Sequence, residues 1–237
     1  MQSRQDIQRF RRLDPYAHID EDITKLRGPD YHKIFQKVRR IIHHQFSKRL
    51  KKGIKGFLFW GDVGTGKTAM AKALAKDLAC PLIFVDGSDI ARARYGESEQ
   101  AITEVFKGIA GERHIILIDD AESVFPRRDW VKGESWHVAQ NNVFFHELDQ
   151  LDTSSTVVIL TTNEISLMDK AVKDRLLGIE FPLLPMQTLI EIAKDKCEEL
   201  LIPWEDVVAR IEKDSDNVKS VRDVERIVLE HYAEEVT

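Results

Sequence analysis

Gly61-Asp62-Val63-Gly64-Thr65-Gly66-Lys67-Thr68 is the stretch on which the reading of the fold turns. It satisfies the pattern G-x-x-x-x-G-K-[ST], a loop whose backbone amides converge on phosphate oxygens. Glycine is needed where a Cβ would obstruct that approach. The context agrees on both sides. Residues 56–60, GFLFW, are short, apolar and strand-like, and residues 68–79, beginning Thr68-Ala69, are alanine-rich and helical in pattern. A strand running into a glycine turn and then a helix N-terminus places a positive dipole end at the anion. Lys67 is expected to reach the β- and γ-phosphates of a bound nucleotide, and the Thr68 hydroxyl to ligate Mg2+.

Working outward, Ile115-Ile-Leu-Ile118 is a second apolar run, and it ends in Asp119-Asp120. Four apolar residues bury a strand, and the acid at its carboxyl end can join a magnesium shell. Asp119 is therefore expected at the metal, largely through water, and Asp120 where a carboxylate polarises attacking water. Hydrophobic period and punctuation predict further strands over 82–85, 156–161 and 178–182. Helices are expected over 31–52, 68–79, 97–110, 141–151 and 169–174. Strands alternating with helices imply an α/β fold, a parallel sheet covered on both faces. Beyond Pro185 the pattern becomes wholly helical, over 186–201, 205–214 and 220–234. The expected division is residues 1–30 as a leading segment with a strand, 31–185 as the α/β core, and 186–237 as a small helical lid.

Composition is consistent with this. The 237 residues are 43% hydrophobic and 32% charged, enough for a packed core with a solvated surface. Twelve glycines and seven prolines exclude collagen-like and linker-dominated chains. No apolar run approaches the roughly 20 residues that span a bilayer, and two isolated cysteines fit a reducing compartment. A cytoplasmic protein is the expectation. Charge is unevenly placed: residues 1–60 carry 15 Lys/Arg against 6 Asp/Glu, and residues 186–237 carry 7 against 14. A basic front could meet nucleic acid, yet it lacks interleaved aromatic stacking platforms. Head-to-tail packing of identical subunits explains the same asymmetry.

Taken together, these motifs resemble those of the AAA+ superfamily, and most closely its AAA clade of protein-remodelling ATPases. The resemblance covers about residues 19–235. Ser88 to Glu99, SDIARARYGESE, resembles a substrate-facing pore loop, here carried by Arg94, Tyr95 and Gly96. Asn141 to Leu151, NNVFFHELDQL, resembles the clade's helix ending in a Leu-Asp pair. Thr161-Thr162-Asn163 matches sensor 1, which implies that Asn163 positions water near the γ-phosphate. Asp169 to Arg175, DKAVKDR, resembles the arginine-finger segment, which implies that Arg175 completes a neighbouring subunit's site. Ser220-Val221-Arg222-Asp223 falls where a sensor 2 arginine occurs, so Arg222 is expected at the nucleotide. Residues 19–28, IDEDITKLRG, resemble the strand that passes near adenine, with Ile23 the side chain expected there. The resemblance implies ATP and Mg2+ as cofactors, a homo-oligomer expected to be a hexamer, and a protein substrate or adaptor.

Three departures qualify these expectations. Asp120 stands where the clade generally has Glu, which withdraws the carboxylate by about 1.5 Å. Glu122 lies beyond the strand end and is no obvious substitute. Slow hydrolysis, or a low-turnover nucleotide switch, follows as an alternative. Only one arginine, Arg175, occupies the finger segment, a version more like the loader-type relatives that act on DNA. The pore segment, Arg92-Ala93-Arg94-Tyr95-Gly96, has arginine where the usual aromatic stands and Tyr95 one place later. Apart from these departures, Trp130 and Trp136 flank the position of a second pore loop, where they suggest either a contact surface or partial core packing.

Overall fold

The computed structural model describes residues 11–21, 23, 26–91, 97–107, 112–127 and 135–236. Its framework is a six-stranded sheet of β1 (Arg11–Leu13), β2 (Gly56–Trp60), β3 (Leu82–Asp86), β4 (His114–Asp119), β5 (Thr156–Thr162) and β6 (Leu177–Glu180). The order is β1-β3-β4-β5-β2-β6, with β2 to β6 parallel and β1 antiparallel on β3. The parallel α/β architecture expected from the alternation is thus present. β1 is an addition, because Arg-Arg-Leu carries no apolar run. It pairs Arg11 with Phe84 in register, and the Arg11 guanidinium lies 4.8 Å from the Phe84 ring centroid. Charge on a short edge strand also discourages further pairing.

Each buried strand shows one set of side chains to each face, as period-2 alternation requires. Phe57, Phe59, Leu82, Ile115, Leu117 and Ile159 join one apolar cluster. Leu58, Ile83, Val85, Ile116, Ile118 and Leu160 join another on the opposite face. The first cluster is covered by α1 (Pro29–Lys48) and α2 (Lys67–Asp77). It continues without a break into α7 (Met186–Leu200), α8 (Glu205–Lys213) and α9 (Val221–Glu235). The second lies under α3 (Gly87–Ala91), α4 (Glu97–Lys107), α5 (Ser135–Gln150) and α6 (Lys170–Arg175). Full burial of each large apolar side chain contributes about 1.5–3 kcal/mol, so the C-terminal helices are held by the same core that covers the sheet.

Local chemistry sets several boundaries. The helix predicted to run to 52 stops at Lys48, because Arg49 turns left-handed (φ 53°). The Gln45 side chain then accepts from the Ile54 N–H at 2.6 Å and donates to its carbonyl at 3.1 Å. α5 starts at Ser135, ahead of the expected 141, and buries Gln140, whose amide donates to the Val124 carbonyl at 3.0 Å. α9 begins in a capping box in which Ser220 and Asp223 satisfy each other's backbone N–H. Residues 19–28 were expected to include a strand, and their described residues form none. Ile19 and Leu26 are instead buried in the first core cluster.

Candidate functional site

The parallel strands β2, β4 and β5 all end at one edge, and the glycine turn, Asp119 and Asn163 follow from those ends. Carboxyl ends of parallel strands are where an open α/β sheet leaves a crevice. Here it is a cavity of about 690 Å³, floored by the turn and the strand ends and roofed by residues of α7 and α9.

The turn is held in a conformation that glycine makes accessible. Gly61 (φ 145°) and Gly64 (φ 76°) both lie at positive φ. A Cβ on Gly61 would come within 2.4 Å of the Phe181 carbonyl oxygen, and one on Gly64 within 2.7 Å of the Ser220 Cβ. The C-terminal helical region therefore touches the loop directly, and the Val221 N–H donates to the Gly64 carbonyl at 3.2 Å. Tyr31 braces the loop from the other side. Its hydroxyl donates to the Thr65 carbonyl and lies 3.2 Å from the Pro182 carbonyl, and its ring packs edge-on against Phe181. Burial raises the Tyr31 phenol above its ordinary value, which keeps it a donor.

Lys67 is only 6% exposed. Its ammonium donates to the Gly61 carbonyl (2.8 Å), the Asp62 carbonyl (2.9 Å) and Asn163 Oδ1 (2.9 Å). Burial draws its pKa below the ordinary lysine value, opposed by the Glu122, Asp119 and Asp120 carboxylates. Thr68 Oγ1 donates to Asp119 Oδ1 at 2.8 Å, and Thr161 Oγ1 donates to the same oxygen at 2.5 Å. The Asp120 N–H donates back to Thr161 Oγ1 at 3.1 Å. Asn163 Nδ2 donates to Asp120 Oδ1 at 3.1 Å, so one amide joins Lys67 to Asp120. Asp120 is left-handed (φ 50°), which aspartate tolerates better than most residues. Burial pushes its carboxyl above the ordinary value, reinforced by Asp119 and Glu122.

Among the described residues no group of three or more His, Cys, Asp or Glu side chains could hold a metal ion. What converges instead is a hydroxyl and a carboxylate oxygen, Thr68 and Asp119, beside the further carboxylate Asp120. That hard-oxygen donor set fits Mg2+, which keeps several waters and takes few protein ligands.

Most of the expected residues meet in this cavity. Gly64, Thr65, Gly66, Lys67, Thr68 and Ala69 line it, as do Asp119, Asp120, Asn163 and Arg222. Gly61 and Asp62 form the turn and present carbonyls to Lys67, while the Val63 side chain is 45% exposed. Ile23 packs against the core, while Asp20, Glu21, Leu26 and Arg27 of its segment line the cavity. Arg175 does not line its own chain's cavity. It lies 4.5 Å from the Phe145 ring centroid, with Nε 3.6 Å from Asp149 Oδ1. Arg94, Tyr95, Gly96 and Trp130, and the Trp136 side chain, lie outside the described residues.

Three contributors were not singled out from sequence. Tyr31 read only as the start of a helix. Thr161 read as part of a motif whose important member was Asn163. Glu122, set aside as beyond the strand end, accepts from the Asn163 N–H at 3.2 Å. No local pattern announces such contacts, because the partners lie 34 to 42 positions apart in the chain.

Comparison with known proteins agrees with the geometry. The family model described as "ATPase family associated with various cellular activities (AAA)" matches residues 57–183. Protein SAV of Sulfolobus acidocaldarius is 35% identical over 61% of the chain and 19% of its own length. A cell division cycle protein 48 homolog of Archaeoglobus fulgidus is 36% identical over 50% of the chain and 16% of its own. A 26S proteasome regulatory subunit 8 homolog of Schizosaccharomyces pombe is 34% identical over 54% of the chain and 34% of its own. The chain thus spans a minor part of the length of these curated relatives.

Proposed function

The chain belongs to the AAA family of ATPases, and from that premise we propose that it binds ATP with Mg2+ and hydrolyses it as a ring-forming homo-oligomer, a hexamer, that remodels a protein partner. The single observation that carries the reading is the bonded set at the strand ends. Thr68 and Asp119 share one hydrogen bond, and Asn163 joins Lys67 to Asp120. In this reading Lys67 leaves the loop carbonyls to meet the β- and γ-phosphates. Thr68 and Asp119 hold Mg2+, which when bound neutralises charge developing on the phosphate oxygens. Asn163 and Asp120 orient the attacking water, and Arg222 reaches the nucleotide from the lid, residues 186–237. Arg175, outside its own cavity, serves a neighbouring subunit. The protein partner rests on the relatives' names, and Arg94, Tyr95 and Gly96 are its proposed contact. No helix among the described residues is long and apolar enough to cross a membrane, in keeping with a proposed cytoplasmic location.

A second reading, a nucleotide-dependent switch with little turnover, is favoured by the short side chain at Asp120, whose Oδ1 is engaged by Asn163 Nδ2 at the strand ends. Steady-state ATP hydrolysis per subunit, measured against protein concentration with Arg175→Ala alongside, separates the two. A motor with shared sites gives specific activity that climbs with concentration and falls by about 10³-fold in the variant. Tight ATP binding without turnover at any concentration overturns the motor and leaves the switch.

A further inference from the structure

Glu122 occupies the single 3-10 turn, Ala121–Ser123, that follows β4. The left-handed Asp120 turns the chain there. The Glu122 carboxylate consequently faces back across the strand ends instead of outward. Oε1 accepts from the Asn163 N–H at 3.2 Å. Oε2 is shielded from solvent and has no hydrogen-bond partner. A buried carboxylate oxygen left in that state destabilises the fold, because its desolvation is not repaid by a hydrogen bond. Solvent-exposed alternatives at a turn carry no such cost.

The contact that this arrangement secures is a particular one. Asn163 is the first residue past β5 (Thr156–Thr162), where ladder pairing no longer fixes the backbone. Its side-chain amide must nevertheless keep Oδ1 on Lys67 at 2.9 Å and Nδ2 on Asp120 at 3.1 Å. A planar amide satisfies both only in one orientation, and the backbone N–H held by Glu122 lies two bonds from the Cβ that carries it. We propose that Glu122 is a positioning residue for hydrolysis, acting through the Asn163 backbone to aim the amide that joins Lys67 to Asp120. The inference rests on the hydrolytic reading above.

Glu122→Gln and Glu122→Asp in the otherwise unaltered chain separate geometry from charge. Gln keeps an acceptor oxygen at the same reach and loses the charge. Asp keeps the charge and withdraws the oxygen by about 1.5 Å, a displacement that costs on the order of 10² in rate. The expected pattern is a fall in kcat of about 100-fold for Asp and no more than about fivefold for Gln. ADP affinity in both is expected within about twofold of the parent. Hydrogen exchange at the Asn163 amide should be protected in the parent and in Gln, and faster in Asp. Asp turning over as well as or better than Gln overturns the proposal, as does a loss confined to KM. An Asn163 amide equally protected in all three proteins also overturns it. If the parent itself binds ATP without turnover, the hydrolytic reading fails, and the amide exchange still decides whether Glu122 holds Asn163.

Discussion

Asp120→Glu tests the account of the water-polarising carboxylate most directly. The added methylene extends the carboxylate by about 1.5 Å. In the parent, Asp120 Oδ1 is held 3.1 Å from Asn163 Nδ2, at the level of the strand ends. A longer side chain can pass that amide and reach farther into the cavity. Correcting a displacement of this size is worth on the order of 10² in rate. Against it stands the backbone: residue 120 has φ 50° and ψ 49°, where a longer side chain lacks aspartate's local hydrogen bonding, at a cost of about 1–2 kcal/mol. That cost falls on folding and not on turnover, so it appears as a fall in Tm of about 2–8 °C for a chain of this length. Phosphate release at saturating ATP, above the protein concentration at which specific activity levels off, should therefore rise by about 10–100-fold while Tm falls. Unchanged or reduced kcat with ATP affinity intact would refute the claim that reach limits this site.

Two further predictions concern the scaffold. Ser220→Ala removes the acceptor that caps the Asp223 N–H and should cost about 1 kcal/mol, read as a lowered midpoint in denaturant unfolding, with the Gly64 contact retained because Ala keeps the Cβ. His114 is fully buried in β4, with Nδ1 3.0 Å from the Glu112 carbonyl and Nε2 without a hydrogen bond, 3.6 Å from Glu112 Oε2. Burial holds its pKa below the ordinary 6.5, outweighing the opposing pull of Glu112. The folded state thus binds fewer protons than the unfolded one, so stability present above pH 6.5 is lost as pH falls below it. Unfolding free energy measured from pH 7.5 to 5 should decline by up to about 1.4 kcal/mol per pH unit from this group, and His114→Leu should flatten that part of the curve.

How much was legible beforehand follows from where each constraint resides. The glycine turn, its flanking strand and helix, and the paired aspartates after Ile118 are consecutive in the chain, so their chemistry was readable from residue type and spacing. Helix ends were less so: α1 stops at Lys48 where Arg49 turns left-handed and Gln45 bonds Ile54 across the following loop. β1 escaped because an arginine pair has no strand signature until Phe84 lies beneath it. The same distinction governs the site. Sequence alone determined which residues could bind phosphate and metal, since that depends on local backbone freedom and functional group. Only the tertiary structure decided that Asp20 and Arg27 line the cavity while Ile23 packs against the core, and that Tyr31 braces the loop. It also decided that Glu122 holds Asn163, a bond between residues 41 positions apart in the chain. Parallel strands bring distant segments to one edge, and the hydrogen bonds made there leave no periodic trace in the residues that make them.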